Sequence, residues 1–567
     1  MQQGHTKVIE LLLKEPLILS NHEDSDGKSL LSWAVSEGHL EAAKLLLEKG
    51  RMNPNHTDRD GMTPLSWATR KKHIEIVKLL LEAGNIDCDH ADNAGETPLT
   101  WAAYTGDAEV VQLLLETQNV DPNHADSYGK TPLSWAAYEG NAKVVQLSLK
   151  IERVEPDHID KDRKTPLLWA TLEGHTEIVK LLLQTRKVNP NYTDSDGMTP
   201  LSCAVRKRYP DIVKLLIQIE NVNLNHSDND GMTLLSWATC EGYTEVVKLL
   251  LEMEKVDPDY PNSDGMTPLS WAAYVGDSES VKLLLGTAKV QFNHTDINGK
   301  TPLCWAADGG DVRVVQLLLE REEIILDHTD KKGKTPLCWA AYQGHTEVAK
   351  LLLETGRVNL NHTDNDGKTP LYWSTKRKNT ELAELLLETG QVIPDHPASS
   401  KGTPLYWAVR WKHKEIVELL LNTRKVALGF TDYDGMTPLS WSSRDGDTKI
   451  VQLLLETGRA NVNHTDSNGM TPLSWAARMR HADVIKLLLQ TGRQDVDIPD
   501  NDGMTPLSWA AYGGDVKAVK LLLDTGKVKV DHADSDGQTP LSWASRRKHV
   551  EVVKLLLETN SEEDHPQ

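Results

Sequence analysis

The chain has 567 residues, 39% hydrophobic and 26% charged, with 37 Gly and 26 Pro, which excludes collagen-like and low-complexity disordered architectures. A net charge of −21 excludes a general coat for nucleic acid but not a local basic patch, and five cysteines are too few for a disulfide framework. The aromatic set is lopsided, 16 Trp and 13 Tyr against 2 Phe, as expected of one segment copied many times.

In chain order, residues 1–20 come first as a partial unit and linker. Gly4-His5-Thr6-Lys7-Val8-Ile9 opens what reads as the second helix of a repeat whose first helix is missing. From 21 to 559 the phrase TPLSWA recurs every 34 residues, placing Trp33, Trp67, Trp101, Trp135 and Trp169 in one column. Cys203 holds the sixth slot, and the column resumes at Trp237, runs through Trp305 and ends at Trp543, giving sixteen tandem units without insertion. A polar tail, 560–567, follows. Neither end carries a polar cap, so we expect a fragment of a longer array or ends covered by a partner.

One unit, 56–89, shows the parts. Asp58-Arg59-Asp60-Gly61 is turn chemistry, and Thr63-Pro64 reads as N-cap and first helical residue. A short helix through Trp67 ends near Lys72-His73. The second helix, from Ile74 to about Glu82, is apolar round most of its circumference and needs neighbours on both sides. The Trp column is therefore expected in the core.

Two short helices, a Gly-marked turn and the phrase TPLSWAAYEGNAKVV at Thr131–Val145 resemble the ankyrin repeat, over essentially the whole chain. The period is one longer than the family's roughly 33 residues, Trp stands for the usual Leu, and Ser or Cys for the usual His of TPLH. The Trp-bearing form is similar to arrays of filamentous fungi that sometimes sit behind an NTPase domain. The resemblance implies an all-α repeat solenoid of helix-turn-helix plus β-hairpin units stacked in a superhelix. It also implies a non-catalytic protein-binding scaffold whose partners lie along a concave face.

Few residues carry other chemistry. Twelve of the 21 His share one column with Tyr192, Tyr260, Phe430 and Ile498, which no metal site tolerates, and eight more open second helices as expected caps. Gly299-Lys300-Thr301 lacks the upstream Gly of a phosphate loop, since His294 stands there. Six Asn-x-Ser/Thr sequons, beginning at Asn55 and Asn191, recur because the turn recurs. No loop is inserted to gather unlike residues, so no catalysis and no cofactor are expected. With no long apolar run and no signal peptide at Met1, the expected location is intracellular, cytoplasmic or nuclear, without membrane partner or small-molecule substrate.

By the family resemblance, partners touch the hairpin tips and the two residues before each Gly-His turn. Those positions carry Tyr104, Tyr138, Tyr274, Tyr342 and Tyr512. In repeats 11–16 they carry Lys376, Arg377, Arg410, Trp411, Arg444, Arg478, Arg546 and Arg547, with Lys378, Lys412, Arg480 and Lys548 one residue on. Exposed Tyr, Trp and Arg dominate binding hot spots, so a protein partner with an acidic segment is expected on this basic stripe. The same stripe admits nucleic acid as an alternative, and a sensor array severed from an NTPase-containing protein is a third reading. The column of Met62, Met198 and their equivalents, with Lys in other repeats, reads as adaptable turn-edge surface or as packing against the next finger.

Overall fold

The computed structural model describes residues 23–49, 52–117, 119–253, 255–396 and 402–563. The partial unit at 1–20, the irregular finger at 397–401 and residues 564–567 lie outside them. The described residues form 32 helices in alternating order, and the last runs Val550–Glu563, into the segment read as a tail.

The second repeat shows why. Thr63 is extended and its hydroxyl accepts from the Ser66 amide, while Pro64 supplies the first helical residue without an amide to satisfy. The first helix, Pro64–Arg70, buries Leu65 and Ala68, and the second, Ile74–Glu82, buries Ile76, Val77 and Leu80. The chain forms two compact units, Met1–Val290 and Gln291–Gln567, each assembled from this repeat. Within each unit, first helices pack on first helices and second on second, so each repeat's apolar surface is covered by its neighbours.

The β-hairpins implied by the family do not form among the described residues. Isolated bridges, Glu23 with Ser29 and Ser227 with Thr233, are the only β pairing there. Each described finger is instead a turn closed by one side-chain oxygen, an aspartate's in every repeat but the eighth. Asp58 Oδ1 accepts from the Asp60 amide at 3.0 Å and the Met62 amide at 2.9 Å, which leaves no room for a ladder. Successive fingers are tied by single backbone bonds, such as the Asn93 amide to the Asp60 carbonyl at 2.9 Å. In repeat 5, Arg163 takes the glycine's place in this turn at φ 59°, and its amide still reaches the Asp160 carbonyl at 3.0 Å.

Side chains staple neighbouring repeats at three more levels. His56 Nε2 meets the Gly27 carbonyl at 3.1 Å, and His226 and His464 repeat the contact. The second His column does not cap its helices as expected. His73, His175 and His345 make no cap bond, and their Nε2 atoms reach back to the Ser36, Tyr138 and Asp308 carbonyls of the preceding repeat. An imidazole nitrogen spans that gap, whereas the shorter Asp107 and Asp277 do cap. The sequon asparagines form the third level: Asn191 Nδ2 donates to the Asn221 carbonyl at 2.6 Å, and its Oδ1 accepts from the Asn223 amide at 2.7 Å.

In that asparagine column Asp89, Asp157, Asp395 and Asp497 are exceptions. Each accepts no more than its sibling's one amide, as Asp157 does from Asn189 at 3.0 Å, and each keeps a buried Oδ1 with no hydrogen-bond partner. Burial raises the Asp89, Asp157 and Asp395 carboxyls above the ordinary carboxylate range.

Candidate partner-binding face

The face begins at the Trp column, which lines the edge of the core rather than filling it. Trp33, Trp67, Trp101, Trp135, Trp305 and Trp543 are half-buried, and only some, such as Trp169 and Trp373, are buried. The reason is local. In most repeats the same aspartate that closes the finger turns its second oxygen to the indole of its own first helix, nine residues on. Asp58 takes the Trp67 Nε1 proton at 2.7 Å, Asp126 that of Trp135 at 2.8 Å, and Asp466 that of Trp475 at 2.7 Å. Finger and helix are thereby locked together, and the indole ring stands along the seam. In repeat 8 the column holds Asn262, whose Oδ1 closes the finger while its Nδ2 lies against Met232 Sδ, and Trp271 Nε1 is left buried without a partner.

Between consecutive indoles sits the side chain three residues after each Trp. Tyr138 packs edge-on to Trp135 at 5.8 Å and to Trp169 at 5.1 Å; Tyr342 and Tyr512 repeat this at Trp339/Trp373 and Trp509/Trp543. Arg444 stacks between Trp441 at 4.7 Å and Trp475 at 4.9 Å, and Arg478 between Trp475 and Trp509. The expected binding residues are thus rungs of an intramolecular aromatic ladder with their polar edges outward. Tyr104 and Tyr274 are the exposed tyrosines of this column, at 42% and 51%. Lys376, Arg377, Arg478, Arg546 and Arg547 are exposed; Arg410, Arg444 and Trp411 are half-buried. Lys376 lies over Trp373 and Arg546 over Trp543, while Arg377 and Arg547 cover the rings of Tyr342 and Tyr512. Trp411 does not stand free: it stacks on Trp407 at 5.0 Å and 23° and meets Tyr372 edge-on.

The Met and Lys column before each Thr belongs to the same ladder. Met62, Met436 and Met470 are each 1% exposed, which removes them from any adaptable surface. Lys130 is buried with its ammonium 4.2 Å from Trp135, 4.5 Å from Tyr138 and 4.1 Å from Trp169, and Lys334 sits likewise among Trp339, Tyr342 and Trp373. Burial lowers both ammonium groups. Glu96 fills this slot in repeat 3, and burial, with Asp92 and Asp126 nearby, pushes its carboxyl up to about 7.

A signal the sequence reading passed over lies just after the first helix. Ten repeats have Gly there, among them Gly106 and Gly140 at φ 75° and 82°. The other six keep the left-handed backbone with Lys72, Arg208, Lys378, Lys412, Arg480 or Lys548, at φ between 56° and 64°. A side chain there costs about 1 kcal/mol or more relative to Gly. The cost is borne only by basic residues, and four of the six fall in repeats 11–16. A Cβ on Gly446 would lie 2.6 Å from the His481 ring, which favours Gly there, whereas beside Lys378 the next repeat's His413 reaches the Thr375 carbonyl through Nδ1 instead, at 2.9 Å. Where Asp447 or Asp515 follows instead, Lys412 and Arg480 are accommodated.

Among the described residues no helix is long and apolar enough to cross a membrane, and no cluster of His, Cys, Asp or Glu is arranged to hold a metal ion. Cys304 and Cys338, in one column of adjacent repeats, are free, buried thiols pushed up to about 11.

No curated protein matches the chain. The family model "Ankyrin repeats (3 copies)" matches it in eight overlapping stretches, 1–92, 84–153, 142–228, 218–296, 276–362, 356–432, 424–500 and 490–566. Ankyrin repeats are generally protein-interaction modules, and with that model matched across the chain and the helix pair repeated through the described residues of each unit, this chain belongs to the ankyrin-repeat family.

Proposed function

We propose that the chain is a non-catalytic scaffold that binds a protein partner through an acidic segment, along the first-helix face of repeats 11–16. The face carries Lys376, Arg377, Arg410, Arg444, Arg478, Arg546 and Arg547 within a chain of net charge −21. Trp411 and Tyr512 supply half-buried aromatic surface beside them. The carrying observation is the strained backbone at Lys378, Lys412, Arg480 and Lys548. Left-handed Lys or Arg where sibling repeats use Gly carries a backbone cost, and four of the six such residues lie on this face, which supports a use for the charge at that place.

The test replaces those four residues by Gly. The variant should become more stable, each site contributing about 0.5–1 kcal/mol, and should bind fluorescein-labelled poly-glutamate several-fold more weakly. Unchanged binding, or a less stable array, refutes the reading. Oligo(dT) tested alongside separates a nucleic-acid face from a protein face, since phosphate binding falls steeply with salt.

A further inference from the structure

The residue before each capping Thr decides what stands between two indoles. Six repeats place Lys there, and each ammonium lies 3.7 to 4.9 Å from the nearest indole centroid. In repeats 4 and 10 a tyrosine completes the enclosure, so that Lys130 and Lys334 each meet Trp, Tyr and Trp. In repeat 9 a carboxylate completes it: the Lys300 ammonium lies 3.7 Å from Trp305 and 3.9 Å from Trp339 and donates to Asp308 Oδ2 at 2.7 Å.

Repeat 3 has the walls without the cation. Tyr104 stands edge-on between Trp101 at 6.0 Å and Trp135 at 5.4 Å, as Tyr138 does between Trp135 at 5.8 Å and Trp169 at 5.1 Å. The residue before Thr97 is Glu96, one atom shorter than a lysine and of opposite charge. Tyr104 is accordingly 42% exposed, whereas Tyr138 and Tyr342, under their lysines, are half-buried. Asp92 and Asp126 crowd the Glu96 carboxyl with further negative charge. The basic neighbours are engaged elsewhere: Arg70 stacks on Trp101 at 4.4 Å and Lys130 lies in its own enclosure, and among the described residues neither forms an ion pair with Glu96. Nor does Lys130 close the Trp135 wall to a second cation, since Trp339 serves Lys300 at 3.9 Å and Lys334 at 4.7 Å.

We propose that Glu96, Trp101, Tyr104 and Trp135 form a receptor for the ammonium group of a lysine side chain on a protein partner. Two indoles and a carboxylate are the parts that hold Lys300 in repeat 9, and here the cation comes from outside. The chain's own usage selects lysine over arginine. Six lysines and no arginine stand before the capping Thr, while arginines take the column three residues after each Trp, as Arg70 does at 5.4 Å from Trp67 and 4.4 Å from Trp101. A compact charge on an unbranched stem suits the first place and a planar guanidinium the second. The site lies in the first unit and does not rest on the basic face of repeats 11–16.

The test titrates the full chain, isotope-labelled at its indole nitrogens, with the end-capped peptide Gly-Lys-Gly at pH 8, above the value of about 7 to which the Glu96 carboxyl is raised. The indole resonances of Trp101 and Trp135 should shift and saturate, while Trp169 and Trp373, whose enclosures are filled by Lys130 and Lys334, stay in place. The same peptide with its lysine acetylated should move none of them. Glu96→Gln should weaken binding roughly tenfold through loss of one charge-assisted hydrogen bond. Glu96→Lys should abolish binding with the fold intact, because six sibling repeats carry Lys at that place, and the unmoved resonances of the other indoles report the fold. Binding that survives Glu96→Lys, equal shifts at Trp169, or no shift at Trp101 and Trp135 overturns the site. Equal binding of Gly-Arg-Gly overturns the assignment to lysine.

Discussion

Asp157→Asn should stabilise the joint between repeats 4 and 5. Asp157 Oδ2 accepts from the Asn189 amide at 3.0 Å, but its other oxygen is buried without a partner. At the equivalent place in the next repeat, Asn191 uses its amide nitrogen to reach a carbonyl 30 residues on. By the same register Asp157 presents an acceptor toward the carbonyl of Lys187. A buried acceptor left unpaired costs about 1–3 kcal/mol, and half-exposure of the residue puts the gain from Asn at about 1–2 kcal/mol. The pH dependence has a defined sign. Burial raises the folded carboxyl above its ordinary 3.8, so Asp157 favours the fold when protonated and opposes it as pH rises through that raised value. Asn does not titrate, so its advantage should be full at neutral pH and should shrink as the solution is acidified toward 3.8. Native-state hydrogen exchange of fragments covering residues 150–195, corrected for intrinsic rates, reads this directly. At pH 7 protection should rise roughly five- to thirtyfold. No gain at pH 7, or the same gain at pH 4, would refute the reasoning.

Asn262→Asp should give Trp271 the acceptor its siblings have and stabilise repeat 8 by about 1 kcal/mol; an unchanged urea midpoint for that segment counts against the shared Asp–Trp lock. Glu96 is raised to about 7, so its contribution to the fold is complete below pH 4.5 and lost as pH rises through about 7. Exchange protection around residues 92–105 should therefore fall as pH rises from 4.5 to about 7 and level off above that, and Glu96→Gln should flatten that profile.

Much of the fold is legible because each repeat carries its own local chemistry. Thr63-Pro64 announces a helix start, Asp58 to Gly61 a turn, and the 34-residue column of Trp67 and its copies the number of units. The candidate face was legible as a column of Tyr and Arg, but not as a ladder. That Arg444 lies flat between Trp441 and Trp475, or that Trp411 stacks on Trp407, depends on which rings the neighbouring repeat brings alongside. The same holds for the errors. His73 in its own repeat looks like a cap, yet its partner is the Ser36 carbonyl of the repeat before. Met62 at a turn edge left exposed surface and packing against the next finger both open, and the stack decides for burial.

The sequence by itself determined the repeat, its period, its helices and the basic bias of repeats 11–16, since these follow from dihedral preference, capping and periodicity within one unit. Tertiary structure decided what each column does. Hydrogen bonds and stacking reach only a few ångströms, and the residues 29 to 38 positions away that they join become neighbours only when one repeat lies on the next.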